Sequence, residues 1–144
     1  MLNRQFELPP SKRRQKCSPL VLVVDDNEDN IFYACASLDL YDCQHIAARS
    51  AQTALDLAKD KKPDLILMDI VMPQVDGMSI TRILKNNLVT SKIPVIAVTG
   101  LALPHQKEQI MNAGFDDYLC KPYYIEELAD KLICFLNLRL IARN

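Results

Sequence analysis

The sequence predicts an α/β domain in which helices cover both faces of a parallel β-sheet. From Leu20 onward, short apolar runs alternate with segments of helical period at spacings of about 20 to 30 residues, which is typical of repeated βα units. Two of these runs, 20–24 and 65–68, contain only apolar residues, as expected of strands buried on both faces. At 144 residues, the chain is long enough for one such domain and too short for two ordinary ones.

The composition is that of a globular protein, with 49% apolar residues, 24% charged residues and a formal net charge of −1. No apolar run approaches the roughly 18 residues of a membrane-spanning helix, and the amino terminus lacks the apolar centre of a secretory signal. We therefore expect a cytoplasmic protein without membrane contact. The five cysteines form no Cys-x-x-Cys pair, so we expect reduced, mostly buried thiols rather than a zinc site or disulfides.

Residues 1–19 contain five Lys or Arg residues and one Glu, which predicts a flexible basic N-terminal tail. Short basic ends of this kind are more often solvated than bound to nucleic acid, so we expect no direct nucleic-acid contact. The remaining chain carries the compensating negative charge.

The first βα unit begins with the strand Leu20–Val24, which is rich in β-branched residues and ends at Asp25 and Asp26. Asn27 can cap the helix that follows, because its side chain can accept a hydrogen bond from the first turn. The apolar positions of this helix recur at the spacing of one face until about Leu40.

The second unit is predicted as a short strand over 43–47 and a helix that begins near Ser50. The third strand ends on Asp69, and the loop after it contains Pro73, which cannot continue a sheet ladder. Gly77 provides a permissive backbone before the third helix.

The fourth unit combines the strand Val95–Thr99 with a helix over 103–111, and the fifth combines the strand Asp117–Cys120 with a helix over 125–138. Lys121 follows the fifth strand and precedes a proline, which restricts it to an extended backbone. The last helix presents an apolar stripe expected to face the sheet. Its members are Ile125, Leu128, Ala129, Leu132, Ile133 and Leu136.

Polar side chains follow four of the five predicted strands: Asp25 and Asp26, Asp69, Thr99 and Lys121. The second strand presents no comparable group. Because the carboxyl ends of parallel strands share one edge, these groups should converge on a single crevice. Three clustered carboxylates repel one another unless a cation lies among them, and their oxygens suit Mg²⁺. Since protein-bound magnesium usually binds phosphate oxygens as well, the site is expected to handle a phosphoryl group.

The motifs at these strand ends resemble those of the receiver domain of two-component response regulators. They are VVDDN at 23–27, LMDIVMP at 67–73 with DG at 76–77, VTG at 98–100, and AGFDDYLCKP at 113–122. The resemblance spans residues 20–138 and leaves 139–144 as the end of the last helix or a tail. It implies a flavodoxin-like (βα)5 three-layer sandwich with a parallel five-stranded sheet in the order 2-1-3-4-5.

The same resemblance implies a role for each site residue. Asp69 would accept a phosphoryl group from a histidine kinase or a histidine phosphotransfer protein. Asp26 would bind Mg²⁺ directly and Asp25 mainly through water, with Asp69 and the backbone carbonyl of Val71 as further ligands. Lys121 would pair with a phosphoryl oxygen.

The resemblance also implies a switch. Thr99 and the Gly100 amide would donate hydrogen bonds to the phosphoryl group, and Tyr118 would move inward with Thr99. Gly100 stands where the family most often has Ala, so this loop is expected to be more mobile. The residues flanking the water path, Val71 and Leu101, are both apolar, and we therefore expect slow autodephosphorylation of a signalling module that is not an enzyme.

The movement would change the surface of the fourth helix, the fifth strand and the fifth helix, where a downstream protein would bind. A homodimer through the fourth and fifth helices is also considered, because the last helix has more apolar positions than one face can bury. These positions include Phe135, Leu136, Leu138, Leu140 and Ile141, and Tyr123 and Tyr124 precede them. No output domain is expected after the last helix.

Two other functions stay open on the sequence alone. A degenerate receiver would bind partners without phosphate, although none of the acceptor groups is missing from this chain. A small Mg²⁺-dependent aspartyl-phosphate hydrolase would also use a strand-end aspartate, but it would want an acidic residue at the position of Val71. The two histidines, His45 and His105, are expected to lie away from the crevice.

Overall fold

The computed structural model describes residues 18–74, 76–100 and 104–137, and it confirms the predicted fold class. Five parallel strands form one sheet in the order β2-β1-β3-β4-β5. The elements in chain order are β1 (Leu20–Val24), α1 (Glu28–Asp39), β2 (Gln44–Ala48), α2 (Ala51–Lys61), β3 (Leu65–Asp69), α3 (Gly77–Lys85), β4 (Val95–Thr99), α4 (Pro104–Asn112), β5 (Asp117–Cys120) and α5 (Ile125–Leu136).

Helices pack on both faces of the sheet and give the domain three layers. Alternate residues of the central strands point to opposite faces, so each face has its own apolar cluster. Leu22 and Ile66 belong to the cluster beneath α2, α3 and α4, whereas Val23 and Leu67 belong to the cluster beneath α1 and α5. The strands β3 and β4 are buried along their whole length, which explains their uninterrupted apolar sequences.

The strand register brings the carboxyl ends of the strands to one edge of the sheet. Val24 at the end of β1 pairs with Met68, and Asp69 at the end of β3 pairs with Val98. Thr99 at the end of β4 pairs in turn with the last residue of β5. The residues that follow these strands therefore surround one crevice, as the sequence predicts.

Side-chain caps fix where the helices beside this crevice begin. The Asn27 side chain accepts a hydrogen bond of 3.0 Å from the Asn30 N–H at the start of α1, which confirms the predicted cap. The Asp76 carboxylate accepts one of 2.7 Å from the Ser79 N–H at the start of α3. The Gly77 N–H also donates to the carbonyl of Ile70, 2.8 Å away, which joins α3 to the end of β3.

Several element boundaries differ from the sequence prediction by one or two residues. Strand β2 begins at Gln44 rather than at residue 43, and α4 (Pro104–Asn112) ends one residue beyond the predicted end at residue 111, while the predicted start at residue 103 lies outside the described residues. Helix α5 ends at Leu136 because Asn137 adopts the left-handed conformation, with φ 57°. Residue 138, the predicted end of that helix, lies outside the described residues.

Two predictions about burial are wrong in part. Ile133 is 42% exposed and does not belong to the inward stripe of α5, although Leu128, Ala129 and Leu132 are buried as predicted. Among the described cysteines only Cys43 is buried, while the other three are partly or largely exposed. All of them are free thiols, as predicted.

Several sequence predictions fall on residues that the structure does not describe. They concern residues 1–17 of the predicted basic tail, the segment 139–144, and Leu101 beside the water path. These stay predictions. Within the described ranges, no helix combines the length and the apolar character needed to cross a membrane.

Candidate functional site

Asp69 is the last residue of β3 and lies at the centre of the crevice. Its residue surface is only 4% exposed, because the strand that carries it is buried between the two helical layers. One carboxylate oxygen, Oδ1, accepts a hydrogen bond of 3.3 Å from the Val71 N–H, and the Lys121 ammonium lies 3.4 Å from the same oxygen. Both contacts fall on the same carboxylate oxygen, Oδ1.

The two aspartates that follow β1 complete an acidic cluster. One carboxylate oxygen from each of Asp25, Asp26 and Asp69 lies within 4.8 Å of the others. Asp25 is buried, and its Oδ1 accepts a hydrogen bond of 2.9 Å from the Asn27 N–H, whereas Asp26 is partly exposed at the rim. The structure thus brings together the three carboxylates that the sequence predicts as metal ligands.

The chemistry of this cluster fits Mg²⁺. Magnesium binds oxygen ligands at about 2.1 Å, so two oxygens on one ion lie at most about 4.2 Å apart. The three oxygens lie within 4.8 Å of one another, which is close to this limit and allows one carboxylate to bind through water. Val71 follows Asp69 by two residues in the loop above the cluster, and its carbonyl remains a predicted ligand.

Lys121 is the cation of the crevice. Its Nζ lies 3.4 Å from Asp69 and 3.6 Å from Asp25, and its side chain is 28% exposed. The backbone places it there, because the Lys121 N–H donates a hydrogen bond of 2.8 Å to the Thr99 carbonyl and so extends the β4–β5 ladder by one residue. The following peptide bond to Pro122 is cis. Both ion-pair distances are long, so the ammonium can be redirected to a phosphoryl oxygen.

The electrostatics of Asp69 indicate that the cluster favours a bound cation. Burial raises the pKa of the Asp69 carboxyl above its ordinary value, and the negative charge of Asp25 raises this pKa further. The Lys121 cation and the hydrogen bond from Val71 act in the opposite direction but do not cancel the increase. A divalent cation among the carboxylates would remove much of this repulsion.

The predicted switch residues lie on the two strands next to this cluster. Thr99 ends β4 and is 1% exposed, while Gly100, which follows it, is exposed. Tyr118 lies on β5, is partly buried and packs against the apolar cluster beneath α4. The Lys107 ammonium of α4 lies 5.2 Å from the centre of the Tyr118 ring, a cation–π contact. Tyr118 is therefore not part of the acidic cluster but connects the adjacent strand to α4.

A cavity of about 610 Å³ opens beside the acidic cluster, between α1 and the loop that leads into α5. Asp25, Asp69 and Lys121 line part of it, and most of its remaining wall is apolar. A phosphoryl group next to these three residues would thus have an apolar wall beside it.

Two tyrosines, Tyr33 and Tyr123, line one side of this cavity. The sequence assigned no role to Tyr33 and grouped Tyr123 with the apolar residues of an outward-facing surface, whereas Tyr123 packs against the apolar cluster beneath α1 and α5. The Tyr33 hydroxyl of α1 donates a hydrogen bond of 2.9 Å to the Tyr123 carbonyl, and the two rings meet edge to face with centres 5.3 Å apart. Burial is the main reason why the pKa of Tyr123 is raised to about 12, so its hydroxyl is neutral at physiological pH. This contact ties α1 to the segment just after Lys121.

Arg49 is a second group that the sequence analysis missed. It follows β2, the one strand thought to present nothing to the site, and its guanidinium contacts the backbone of Asp26. The two histidines lie elsewhere, as predicted: His45 on β2 pairs with Asp39 at 2.9 Å, and His105 is exposed on α4.

Comparisons with known proteins agree with this geometry. The family model described as response regulator receiver domain matches residues 21–133. The polar-differentiation response regulator DivK of Brucella ovis is 37% identical over 117 residues, which cover 81% of this chain and 95% of the relative. DivK of Brucella anthropi is 36% identical over the same length.

Solved structures of receiver domains match the fold of this chain. The receiver domain of the sensor histidine kinase PA1611 from Pseudomonas aeruginosa PAO1, described as having a magnesium ion coordinated in its active-site cleft, matches with a TM-score of 0.77 and 31% identity. The match covers 83% of this chain and 98% of that one. The chemotaxis protein CheY4 of Vibrio cholerae shares the fold, with a TM-score of 0.78 at 23% identity over 82% of this chain and 98% of that one. With its parallel sheet, acidic crevice and matching relatives, the chain belongs to the response regulator receiver domain family and is a signalling module of two-component systems.

Proposed function

We propose that this receiver accepts a phosphoryl group on Asp69 in a reaction that requires Mg²⁺. The observation that carries the proposal is the convergence of three carboxylates and one ammonium on the edge of the sheet, with oxygens within 4.8 Å and Nζ at 3.4 to 3.6 Å from two of the carboxylates. Such a set binds a divalent cation and a phosphoryl group together and has no obvious structural purpose.

The donor is a phosphohistidine on a histidine kinase or a histidine phosphotransfer protein. A carboxylate oxygen of Asp69 attacks phosphorus, the phosphorus–nitrogen bond breaks, and the imidazole leaves with the electron pair and takes up a proton. The product is an aspartyl phosphate. The exposed mouth of the crevice gives an incoming imidazole access to the acceptor, since the residues after Asp69 form an open loop in which Val71 is 64% exposed.

The residues around Asp69 would provide two positively charged groups to the transferring phosphoryl group, a bound metal ion and the Lys121 ammonium. Asp25, Asp26, Asp69 and the Val71 carbonyl would hold Mg²⁺, which neutralises charge on the transferring group. Lys121 exchanges its long ion pairs for a phosphoryl oxygen. These contacts are worth most in the phosphorylated state, because only then does the crevice contain the full negative charge.

The switch proceeds from the phosphoryl group through β4 to the surface. The Thr99 hydroxyl and the Gly100 amide donate hydrogen bonds to phosphoryl oxygens, and Tyr118 turns inward into the space that Thr99 leaves. This rotation would break the contact between Tyr118 and Lys107 and so change the face of α4. A downstream protein would bind the altered surface of α4, β5 and α5.

Exposed apolar residues on this surface support a partner-binding role. Met111 on α4 is 46% exposed and Ile133 on α5 is 42% exposed. A homodimer through the same helices remains a second proposal, and light scattering with and without a phosphoryl mimic tests it. A monomer in both states would contradict dimerisation and leave the binding of other partners as the use of this surface.

Intact-protein mass spectrometry tests phosphoryl acceptance directly. Incubation with acetyl phosphate and Mg²⁺ should add one phosphoryl mass to the parent and none to Asp69→Asn. Asp56→Asn is a matched control, because this aspartate is exposed on α2, is not a member of the acidic cluster and accepts a hydrogen bond from Gln52 on the same helix. Absence of the added mass from the parent would favour a degenerate receiver. Repeated release of phosphate from acetyl phosphate at a rate far above one turnover per hour would favour a hydrolase.

A further inference from the structure

Arg49 reaches from the end of β2 to the loop that carries two of the carboxylates. Its Nε and Nη2 donate hydrogen bonds of 3.3 and 3.0 Å to the carbonyl oxygen of Asp26. Its Nη1 donates one of 2.8 Å to Glu28 in the first turn of α1. A planar guanidinium can make all three contacts at once because its donors are arranged as a rigid fork.

The strand β2 therefore holds two successive residues of the acidic cluster. Its last residue, Ala48, accepts a backbone hydrogen bond of 3.1 Å from the Asp25 N–H. The next residue, Arg49, donates hydrogen bonds from its side chain to the carbonyl of Asp26. Together these contacts hold the Asp25–Asp26 backbone at both of its ends, since one fixes the Asp25 amide and the other fixes the Asp26 carbonyl.

We infer that Arg49 is a positioning residue of the Mg²⁺ site, an inference that rests on the function proposed above. The Asp26 carbonyl carbon and Cβ are both bonded to the same Cα, so a carbonyl held by Arg49 and an Asp25 amide held by β2 together limit how far this Cα, and the carboxylate on its side chain, can move. By holding that carbonyl, Arg49 keeps the carboxylate aimed at Asp25 and Asp69. Groups that orient metal ligands from behind in this way affect metal affinity without touching the metal.

A purely electrostatic role for Arg49 makes the opposite prediction. Removal of a cation near three carboxylates should strengthen the binding of Mg²⁺, because the local potential becomes more negative. Loss of a positioning contact should weaken it. The ion pair with Glu28 is a minor contribution on either view, since the two side chains are 57% and 77% exposed and surface pairs of this kind are weak.

Isothermal titration of the full chain with MgCl₂ separates these roles. We expect Arg49→Gln to weaken Mg²⁺ binding about three- to tenfold, the factor that corresponds to the net contribution of an ordinary hydrogen bond. Arg49→Lys should also weaken it, because a single ammonium keeps the charge but lacks the fork. The matched control is Glu28→Gln, which removes the ion pair but not the contact with the Asp26 carbonyl, and it should stay within about twofold of the parent.

A second measurement reports on the backbone without metal. The ¹³C chemical shift of the Asp26 carbonyl in the metal-free protein should move in both Arg49 variants and stay unchanged in Glu28→Gln. If Arg49→Gln fails to fold by circular dichroism, Arg49→Lys decides the question. Unchanged or tighter Mg²⁺ binding in the Arg49 variants would overturn the positioning role. A parent that binds no Mg²⁺ would overturn the metal site itself, and the inference with it.

Discussion

Replacement of Gly77 by alanine should disturb both the stability of the domain and the position of the acceptor. Gly77 begins α3 and lies directly against the end of β3. A methyl group at this position would overlap the carbonyl oxygen of Asp69 and would lie 2.9 Å from Cγ of Met68 and 3.0 Å from Cα of Ile70. Two of these three neighbours are backbone atoms at the end of the strand that carries the acceptor.

The size of the effect follows from how little these neighbours can move. Met68 is fully buried, and the backbone of β3 is hydrogen-bonded to strands on both sides. The start of α3 or the end of β3 must therefore shift, and overpacking of this kind costs about 1 to 3 kcal/mol of unfolding free energy. Because a displacement of about 1 Å in an active site can cost a hundredfold in rate, we expect phosphorylation of Asp69 to slow at least tenfold.

Urea unfolding followed by circular dichroism gives the stability, and the initial rate of phosphorylation by acetyl phosphate in Mg²⁺ gives the acceptor geometry. Gly100→Ala is the matched control for the stability measurement, because a methyl group there meets no atom of the described residues within 4 Å and its φ does not lie in the left-handed region. This control should leave the unfolding free energy unchanged or raise it by up to about 1 kcal/mol. If Gly77→Ala keeps the stability and the rate of the parent, contact between α3 and β3 does not position Asp69. If Gly77→Ala loses stability but keeps the phosphorylation rate of the parent, Gly77 is needed for the packing of α3 on β3 and does not position Asp69.

Three further predictions concern the acidic cluster and the phosphorylated state. Asp69→Asn should stabilise the metal-free protein at neutral pH. Because the pKa of Asp69 is raised in the folded state, the protonated Asp69 carboxyl contributes to the free energy of unfolding. This contribution is fully present below the ordinary carboxyl pKa and is lost as the pH rises through the folded-state pKa. Urea unfolding between about pH 3.5 and 7 should therefore show a smaller loss of stability with rising pH in Asp69→Asn than in the parent. If the unfolding free energy changes equally with pH in both proteins, a raised Asp69 pKa is not the origin of that loss. The double variant Asp25→Asn, Asp26→Asn should lose Mg²⁺ binding and phosphorylation while staying folded, and the parent should gain about 1.4 kcal/mol of stability at a Mg²⁺ concentration ten times Kd, a gain absent from the variant. Val71→Asn should speed the loss of phosphoryl about tenfold to a hundredfold, because an exposed apolar side chain cannot position the hydrolytic water; decay no faster than that of the parent would contradict the water-exclusion argument.

The sequence was sufficient to predict which groups share the crevice, because buried parallel strands leave a clear pattern. The residues 65–68 are at most 2% exposed, and no polar side chain could occupy them without a partner. Asp69 is the first polar residue after this apolar run and lies where the strand reaches the crevice. Once the strands are recognised as parallel, the meeting of Asp25, Asp69 and Lys121 follows from topology rather than from their distance along the chain.

The role of Arg49 could not be predicted in the same way. Its partner in the loop is a backbone carbonyl, which every residue has, so no pairing of residue types in the sequence indicates the contact. The absence of a carboxylate after β2 also suggested that this strand contributes nothing to the site. Contacts from a side chain to the backbone become visible only when the loops have been placed.

The exposure of Ile133 has a different cause. With 3.6 residues per turn, this residue lies at the margin of the stripe formed by Ala129, Leu132 and Leu136 rather than at its centre. A run of apolar residues at helical spacing defines an arc, but the sheet decides how much of that arc is covered. The sequence pattern therefore overestimated the buried face of α5, in which three of the six predicted residues are buried, two are partly buried and Ile133 is exposed.

Identification of the residue that carries the phosphoryl group tests the central claim most directly. The protein is incubated with Mg²⁺ and phosphoramidate, whose phosphorus–nitrogen bond mimics that of phosphohistidine, and is then reduced with borohydride, which converts an aspartyl phosphate to homoserine. Peptide mass spectrometry should find homoserine at position 69 and aspartate at positions 25 and 26, and omission of Mg²⁺ should abolish the conversion. Homoserine at another position, or none at 69 in a folded protein that binds Mg²⁺, would contradict the assignment of Asp69 as the acceptor.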